Sequence, residues 1–561
     1  MPASLVTRQL TVARGDRLVL DAVDVSLLPG RRVGVIGPNG IGKSTLLHAL
    51  AGLLRDRPDV RVEGVVEATP PTATVGYLAQ EPPRGGETVD ELLARRTGVA
   101  GAQRELEAAT TALAESAPGA DDRYDAALGA WLSLGAADLD ARVGATFDEL
   151  GLPERLRGQA TSTLSGGEAA RASLAALLLS RHDVVLLDEP TNDLDLDSLE
   201  RLERWVVGLD APVALVSHDR TFLERTVTDV VELDHHARTA TTFAGGWTAF
   251  LHEREVARRR ARERFEEYDG ARRDLLRRRQ REREWAVRGR AKVRRSDESD
   301  KFVRAHRVDQ TEQLAARSAR TDRMIDRLEA VEEPRERWEL RYSIPDVERS
   351  GDVVATLDGA VVERGPFRLG PVDLDVAYGD RIAILGPNGS GKTSLVELLL
   401  GRRAPSAGRA SLGSRVVVGE IEQERAGLVG DAGLLESLRA RTGLDAGELR
   451  TLLAKFGLGP EHLRRAGTSL SPGERTRAAM ATLMAVGANL LVLDEPTNHL
   501  DLQAIEQLEG AVERFGGTVL LVSHDRALLR SLRFDRVLRI ERGVVREEPV
   551  DAAPELAPPL A

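Results

Sequence analysis

Short apolar runs recur in the same order in two stretches of the chain. Each run is about five residues long, rich in Val and Leu, and bounded by glycine or by carboxylate and hydroxyl residues. The runs of the first stretch are Arg32–Gly37, Val184–Asp188 and Val213–Val216, and those of the second are Arg381–Gly386, Leu490–Asp494 and Val519–Val522. Runs of this kind, separated by segments with helical spacing, predict buried parallel strands with helices between them. The pattern predicts an α/β fold that is built twice.

Equal spacing of polar residues supports a duplication. Ser165 precedes Asp188 by 23 positions and Asp188 precedes His218 by 30. The second stretch repeats both intervals at Ser471, Asp494 and His524. One interval differs, because Gln80 to Ser165 spans 85 positions and Gln423 to Ser471 spans 48. The first copy therefore carries about 37 extra residues, which we assign to a helical arm at about 103–151.

A charged segment with few turn residues separates the two copies at 247–334. Within it, residues 272–307 hold 15 Lys or Arg and 6 Asp or Glu, whereas the whole chain has a formal net charge of −11. We predict a long helical hairpin with a basic tip. A rough apolar seam at Leu314, Thr321, Ile325, Leu328 and Val331 leaves open a coiled coil that only spaces the two copies. A basic tip also suits contact with RNA; its residues are Arg290, Lys292, Arg294, Arg295, Lys301 and Phe302.

Composition narrows the class of protein. The 561 residues include no cysteine, which excludes disulfides, thiol nucleophiles and cysteine-ligated metals. No apolar run reaches the ~18 residues of a membrane helix, and the first residues lack the pattern of a signal peptide. We therefore expect a cytoplasmic protein. The acidic net charge argues against nucleic-acid binding over the whole surface and leaves room for a local basic patch.

Each copy contains a glycine-rich loop between a buried strand and a helix. Its sequence is G-P-N-G-I-G-K-S at 37–44 and G-P-N-G-S-G-K-T at 386–393. Glycines allow backbone N–H groups to converge on phosphate oxygens, and the helix N-terminus adds a positive end. We expect Mg²⁺ and a nucleotide here, with the nucleotide held by Gly37, Pro38, Asn39, Gly40, Ile41, Gly42, Lys43, Ser44 and Thr45, and by Gly386, Pro387, Asn388, Gly389, Ser390, Gly391, Lys392, Thr393 and Ser394.

Carboxylates and histidines at strand ends complete the predicted chemistry. Glu189 and Glu495 follow apolar strands and are placed to activate water, while His218 and His524 are placed to sense the terminal phosphate. The expected Mg²⁺ ligands, direct or through water, are Ser44, Gln80, Asp188, Thr393, Gln423 and Asp494. Two helix-capping motifs, L-S-G-G-E at 164–168 and L-S-P-G-E at 470–474, are expected to take part in nucleotide binding. The residues concerned are Ser165, Gly166, Gly167, Ser471 and Gly473.

This set of motifs resembles the nucleotide-binding domain of the ATP-binding cassette superfamily. The resemblance implies two cassettes that meet head to tail within one monomer, each ATP lying between the P-loop of one and the signature motif of the other. Lys43 and Glu189 would then face Ser471 and Gly473, and Lys392 and Glu495 would face Ser165 and Gly167. Pro472 stands where the first signature has Gly166, so one backbone donor is missing from the site built on Lys43. An aromatic platform for adenine is not evident; Arg14 lies near that position in the first copy and Arg364 or Phe367 in the second.

Two cassettes with a basic two-helix linker and no membrane segment resemble the ABC-F proteins, and the linker is similar to those of actinobacterial members. The resemblance implies an ATPase that binds the ribosomal E site and acts through its linker on P-site tRNA and the peptidyl-transferase centre, protecting ribosomes against antibiotics. Its partners would be rRNA and tRNA, with no membrane and no DNA. An alternative is the ATPase component of a drug exporter with separate membrane subunits. A DNA-repair ATPase fits poorly, since those carry zinc cysteines or far longer coiled coils.

The predicted domains follow from these assignments. The first cassette covers 1–246, the hairpin linker 247–334 and the second cassette 335–548. The remaining residues, 549–561, are rich in Pro and Ala and are predicted to be a disordered tail.

Overall fold

A computed structural model of the chain describes residues 2–54, 57–80, 84–192, 194–234, 237–295, 320, 324, 349–365, 367–421, 425, 427–428, 430–498 and 500–557. For 282–283, 285–295, 472 and 503 it describes the backbone only. The chain forms two compact units. One unit contains both cassettes, Met1–Trp247 with Trp338–Ala561, and the other is Thr248–Arg337.

The first cassette is built on two sheets. Strands β1 (Ser4–Arg14), β2 (Arg17–Val23), β3 (Ser26–Leu27) and β5 (Val60–Thr69) form an antiparallel sheet around β1. The main sheet has the order β10-β9-β4-β8-β7-β6. Its strands are β4 (Arg32–Ile36), β6 (Val75–Leu78), β7 (Val184–Asp188), β8 (Val213–Val216), β9 (Asp229–Leu233) and β10 (Ala240–Ala244). All neighbours in this sheet are parallel except the edge strand β10, so the predicted α/β fold is confirmed.

The helices of the first cassette pack against this parallel core. They are α1 (Lys43–Leu50), α2 (Val89–Arg96), α3 (Val99–Ala114), α4 (Ala120–Ser133), α5 (Leu139–Leu150), α6 (Gly166–Leu179), α7 (Leu196–Val207) and α8 (Arg220–Thr226). Strands β7 and β8 are buried at every position, as expected for strands covered on both faces. The carboxyl ends of β4, β7 and β8 therefore meet at one sheet edge, and this edge carries the polar residues that the motifs single out.

The second cassette repeats the architecture. Its antiparallel sheet has the order β12-β11-β14, and its main sheet has the order β15-β16-β17-β13-β18-β19. The strands are β11 (Val353–Arg364), β12 (Phe367–Ala377), β13 (Arg381–Leu385), β14 (Ala407–Leu412), β15 (Val418–Glu420), β16 (Leu490–Asp494), β17 (Thr518–Val522), β18 (Arg536–Glu541) and β19 (Val544–Glu548). The helices are α10 (Lys392–Leu399), α11 (Leu434–Thr442), α12 (Ala446–Lys455), α13 (Pro460–Leu463), α14 (Pro472–Ala485), α15 (Leu502–Glu513) and α16 (Arg526–Ser531).

The arm of the first cassette is shorter than the sequence predicts. Helices α11 and α12 are separated by 443–445 alone, whereas α3 and α4 intervene between α2 and α5. Helix α5 is the counterpart of α12 and belongs to the core, where Phe147 is 1 % exposed. The extra residues therefore form the α3–α4 hairpin at 99–133, and the predicted arm at 103–151 extends one helix too far because apolar spacing does not separate an inserted helix from a core one.

The linker begins with helix α9 (Gly246–Arg295), one unbroken helix of 50 residues. Its exposed side chains form ion pairs within the helix, among them Arg262–Glu266 at 3.1 Å and Arg273 with Asp269. At 1.5 Å per residue the helix is about 75 Å long. It continues through Gly289 to Arg295, into the segment that the sequence assigns to the hairpin tip. The predicted seam residues, Leu314, Thr321, Ile325, Leu328 and Val331, lie outside the described residues.

The start of the predicted disordered tail is docked on the second cassette. Residues 550–552 form a turn of 3-10 helix, Ala553 is 1 % exposed, and Leu556 packs against the core. Glu555 receives hydrogen bonds from Arg539 of β18 at 3.1–3.2 Å. The composition of this segment predicted disorder, but its few apolar residues and one carboxylate find matching partners on the cassette surface.

Truncating the chain tests whether this docking stabilises the second cassette. Ending the chain after Glu548 removes the Ala553 and Leu556 contacts and leaves Arg539 without Glu555. We expect the melting temperature to fall by roughly 3–6 °C. The matched control ends the chain after Ala557 and removes only the last four residues, and its melting temperature should equal that of the full chain. Equal melting temperatures for both truncations would contradict a stabilising tail.

Candidate functional site

The first glycine-rich loop connects β4 to α1 and is held in a conformation that requires glycine. Gly42 is the N-cap of α1 and has φ 119°, and an added Cβ would lie 2.8 Å from the Val19 side chain. Lys43 is the first residue of the helix and is 7 % exposed. Its ammonium group donates to the Gly37 carbonyl at 2.8 Å and to Asn39 Oδ1 at 3.2 Å. The lysine thus lies across the loop whose backbone N–H groups would donate hydrogen bonds to phosphate oxygens.

A glutamate and a histidine converge on this lysine from the ends of β7 and β8. His218 Nε2 lies 3.2 Å from Lys43 Nζ and 3.1 Å from Glu189 Oε1. Glu189 has φ 49°, a left-handed conformation that is strained for a residue with a side chain. Burial raises the pKa of Glu189 to about 7, with Lys43 acting in the opposite direction. Burial and then the Lys43 charge lower the pKa of His218 to about 3, so its imidazole is neutral at pH 7.

The second cassette reproduces this arrangement closely. Lys392 donates to the Gly386 carbonyl at 2.7 Å, and its Nζ lies 3.0 Å from His524 Nε2. His524 Nε2 is 3.5 Å from Glu495 Oε1, and Glu495 has φ 48°. Burial raises the pKa of Glu495 to about 8, and burial followed by the Lys392 charge lowers the pKa of His524 to about 3. The two cassettes therefore contain the same arrangement of lysine, glutamate and histidine.

Oxygen donors beside each lysine fit a magnesium ion. Asp188 is 2 % exposed, its Oδ1 is buried without a hydrogen-bond partner, and Ser44 and Tyr77 donate to its carboxylate. Gln80 lines the same cavity. In the second cassette Thr393 donates to Asp494 at 3.4 Å, and Gln423 lies outside the described residues. A site made of carboxylate, hydroxyl and amide oxygens is the kind that Mg²⁺ prefers, and the Asp188 oxygen without a partner is placed for it.

The first signature motif faces the P-loop of the second cassette. Ser165 is the N-cap of α6, where it forms a capping box with Glu168. A cavity of about 540 Å³ is lined by Ser165 and Gly167 together with Asn388, Gly389 and Glu495. Of the expected group, Glu495 and the first signature thus line one shared cavity between the cassettes, whereas Lys392 is not among the described residues that line it.

The site around Lys43 is closed by a different part of the second cassette. Its cavity of about 490 Å³ is lined by Lys43, Asp188 and Glu189 together with Thr497 and Leu500. Neither Ser471 nor Gly473 is among the described residues that line this cavity. Ser471 nevertheless caps α14 with a capping box to Glu474, as Ser165 caps α6. Pro472 stands in the first turn of α14, where a missing N–H does not break an intrahelical bond.

Two aspartates that were not among the predicted site residues join the P-loops across the interface. Asp195 caps α7 and accepts a hydrogen bond from the Asn388 backbone N–H at 3.3 Å. Asp501 caps α15 and accepts from the Asn39 N–H at 3.3 Å. Both follow Asn-x-Leu in the sequence, 306 positions apart. This repeated N-cap pattern could have drawn attention to the two aspartates in the sequence, but a capping role alone does not reveal a contact with the other cassette.

The environments of Asp188 and Asp494 differ. Tyr77 of β6 donates to Asp188 at 3.2 Å, and its hydroxyl lies 2.9 Å from His48 Nε2. In the second cassette burial raises the pKa of Asp494, and the nearby carboxylate of Glu420 of β15, itself paired with Arg402 at 2.5 Å, raises it further. Asp188 thus has neutral hydrogen-bonding neighbours, whereas Asp494 has an ion-paired carboxylate nearby.

The space beside each P-loop helix is also occupied differently. Next to Gly42 stands Val19, with Arg14 and Arg17 lining the same cavity. Next to Gly391 stands the Phe367 ring, whose nearest atom would lie 2.7 Å from an added Cβ. Of the three residues suggested as a platform for the base, Phe367 is the aromatic one, and its ring lies beside the second P-loop helix. The predicted linker-tip residues Arg290, Lys292, Arg294 and Arg295 lie in the last turns of α9, and Lys301 and Phe302 lie outside the described residues.

Comparison with known proteins defines the class. The family profile described as "ABC transporter" matches residues 20–192 and 369–498, one match in each cassette. A solved structure of "RNase-L Inhibitor" superimposes with a TM-score of 0.54 at 19 % identity, covering 96 % of this chain and 89 % of that one, which shows the fold alone.

Relatives along nearly the whole chain narrow the class to one branch. The tylosin resistance ATP-binding protein TlrC of Streptomyces fradiae is 36 % identical over 554 residues, 94 % of this chain and 96 % of that protein. The energy-dependent translational throttle protein EttA of Mycobacterium tuberculosis (strain CDC 1551 / Oshkosh) is 32 % identical over 93 % of this chain and 88 % of that protein. The ABC transporter F family member 5 of Arabidopsis thaliana is 30 % identical over 94 % of this chain and 74 % of that protein. The chain belongs to the ATP-binding cassette family and, within it, to the ABC-F proteins. In the described part of the chain, every helix is too short or too polar to span a bilayer.

Replacing Phe367 tests the assignment of the base platform. In a Lys43→Ala background, which weakens the first site, Phe367→Ala should weaken ATP binding to the second site by about tenfold because one base–aromatic contact is lost. Inorganic triphosphate, which has no base, should bind equally well with either residue. Titration calorimetry measures both. Val19→Ala in a Lys392→Ala background is the control for the first site and should change ATP binding by less than about threefold. Equal losses for ATP and triphosphate would contradict the assignment.

Proposed function

We propose that this protein is a cytoplasmic, monomeric ATPase that binds the ribosome and acts through its linker on the P-site tRNA and the peptidyl-transferase centre. The observation that carries the proposal is the presence of two sites with the same lysine, glutamate and histidine arrangement together with a helix whose positive charge lies mainly at its far end. The names of the similar proteins, a resistance protein and a translational throttle protein, agree with it.

The proposed chemistry assigns one role to each group around the lysine. Lys43 and Lys392 bind the terminal phosphates of ATP, and His218 and His524 contact the transferred phosphate. Glu189 and Glu495 orient the attacking water and accept its proton. The magnesium ion, held by Ser44, Gln80 and Asp188 in the first site and by Thr393, Gln423 and Asp494 in the second, would neutralise phosphate charge when bound.

Nucleotide charge provides the proposed reason for closure. Each nucleotide site contains residues of both cassettes, such as Lys43 with Thr497 and Asn388 with Ser165. The phosphates of one ATP would therefore receive donors from both cassettes only when these are docked. ATP then favours the docked arrangement, and hydrolysis releases it.

Charge along α9 supports RNA as the target of the linker. Residues 246–276 contain 8 Lys or Arg and 7 Asp or Glu, so the opposite charges nearly balance, and some of them form ion pairs within the helix. Residues 277–295 contain 10 Lys or Arg and only 2 Asp or Glu. A spacer would need no such gradient, whereas a rod that enters a phosphate-rich cavity needs positive charge at its far end.

Removing both water-activating glutamates tests the ribosome assignment. Glu189→Gln with Glu495→Gln should lower the steady-state ATPase rate at least about hundredfold because the base is lost, while ATP-driven docking continues. We expect this variant to sediment with ribosomes in the presence of ATP and to block translation in a cell-free system. Adding Lys43→Ala and Lys392→Ala should abolish sedimentation, because the phosphates are no longer held. A variant that hydrolyses no ATP but stays free of ribosomes, or fractionates with membranes, would overturn the proposal.

Neutralising the far end of α9 tests the linker assignment separately. Arg290, Lys292, Arg294 and Arg295 replaced together by Ala should abolish the block of translation in the hydrolysis-deficient background, and should leave the ATPase rate of the otherwise unchanged protein within about twofold. The matched control replaces Arg258, Arg259, Arg260 and Arg264, which removes the same charge from the balanced part of the helix. Equal effects of the two quadruple variants would show that only the total charge matters.

A further inference from the structure

The residue that follows each His-Asp pair crosses to the opposite cassette. Arg220 is the first residue of α8, directly after His218 and Asp219, and its guanidinium group forms an ion pair with Glu509 of α15. Arg526 is the first residue of α16, directly after His524 and Asp525, and pairs with Glu203 of α7. All of these positions are related by the same offset of 306 residues. The two ion pairs are therefore symmetric copies of one contact.

The Arg526–Glu203 pair is buried and the Arg220–Glu509 pair is partly buried, whereas most ion pairs among the described residues are more exposed. The side chains of Arg526 and Glu203 are 4 % and 8 % exposed, and those of Arg220 and Glu509 are 24 % and 14 % exposed. Removing one partner of a desolvated ion pair leaves an uncompensated charge, which is far more costly than losing a surface pair. The charges around them reinforce the crossing, since Asp219 faces Arg526 and Asp525 faces Arg220.

Each of the helices α7 and α15 is held by the opposite cassette at two points. The N-cap of α15, Asp501, accepts from Asn39 in the first P-loop, and Glu509 pairs with Arg220 after the first His-Asp pair. Eight residues of helix separate these contacts, a distance of about 12 Å. Helix α15 thus spans the first nucleotide site from its phosphate loop to its histidine. Helix α7 does the same for the second site through Asp195 and Glu203.

We propose that Arg220 and Arg526 are positioning residues, each of which places the preceding histidine for hydrolysis only when the opposite cassette is docked. Arg220 fixes the start of α8, and with it His218, against α15. Arg526 fixes His524 against α7. This inference rests on the proposed ATPase reaction and extends it, because each site then depends on a side chain of the other cassette that touches no nucleotide.

The two contacts differ in a way that makes them distinguishable. Glu203 also forms an ion pair at 2.9 Å with Arg225 of its own cassette. In the second cassette the position equivalent to Arg225 is Ser531, which hydrogen-bonds Glu509. The charges of the Arg220–Glu509 pair are therefore simpler to exchange. An arginine at position 509 would lie beside Ser531, whereas an arginine at position 203 would lie beside Arg225.

Single-turnover kinetics of each site separate positioning from simple adhesion. In a Glu495→Gln background only the first site hydrolyses ATP, and in a Glu189→Gln background only the second does. Single-turnover rates avoid the need for the cassettes to reopen. We expect Arg220→Gln to slow the first site at least tenfold and the second site less than twofold, with the affinity for ATP nearly unchanged. Glu509→Gln should do the same, and the double variant should be no slower than either single one.

Adhesion alone predicts a different result, because both sites share one docked interface. Equal losses at both sites, no loss, or a loss confined to the second site would each overturn the proposal. Exchanging the pair, Arg220→Glu with Glu509→Arg, should recover most of the first-site rate, which also excludes misfolding of the single variants. Arg526→Gln provides the mirror test and should slow the second site. The control Arg95→Gln breaks a half-exposed pair with Glu87 inside the first cassette and should change neither rate. If the parent Glu495→Gln and Glu189→Gln proteins hydrolyse no ATP at all, the proposed ATPase reaction fails rather than the positioning role.

Discussion

Lys43 and Lys392 are cations buried at the ends of their P-loops, and the arrangement of both nucleotide sites depends on compensating them. Burial lowers the pKa of each lysine, and the charges of Glu189 and Asp501 act against this at Lys43 as those of Glu495 and Asp195 do at Lys392. One of the two carboxylates comes from the same cassette and the other from the opposite one. The compensation is thus shared between the cassettes, and the anionic phosphates of ATP are the natural completion of it. The capping aspartates of α7 and α15 are the carboxylates that the opposite cassette supplies to this compensation.

The two cassettes share this electrostatic arrangement and differ in what surrounds it. The lysine, glutamate, histidine and capping aspartate keep their spacing and contacts in both cassettes. Around them, Glu420 stands in the second cassette where Tyr77 stands in the first, and Phe367 lies beside the second P-loop where Val19 lies beside the first. If the proposed function holds, these positions would affect metal affinity and base affinity without touching the reacting phosphate. The two sites would then differ in occupancy while retaining one chemistry.

Much of the fold could be predicted from the sequence, because short buried strands and glycine-rich loops are local patterns. The strands that end at Asp188 and shortly before His218, and their second copies, were predicted to within a residue. The arm was predicted too long, since the apolar spacing of α5 is that of any amphipathic helix whether inserted or not. The docking of Glu555 on Arg539 was missed, because composition does not reveal a partner 16 residues away on a folded surface.

Contacts across the cassette interface were the hardest to predict, for a related reason. Arg220 and Arg526 look like ordinary first-turn residues, and Glu203 and Glu509 look like exposed charges on amphipathic helices. Only the three-dimensional pairing shows that each arginine contacts a glutamate of the opposite cassette, with Arg526 buried and Arg220 partly buried. A sequence repeat does contain a hint, since a charged pair kept at the same offset in both copies is symmetric by construction. In a two-fold arrangement, a residue of one copy that contacts the other copy must find its own equivalent contacting back, and these four residues satisfy that condition. Charges that recur at one offset in both copies of a duplicated chain are therefore the first candidates for contacts between the copies.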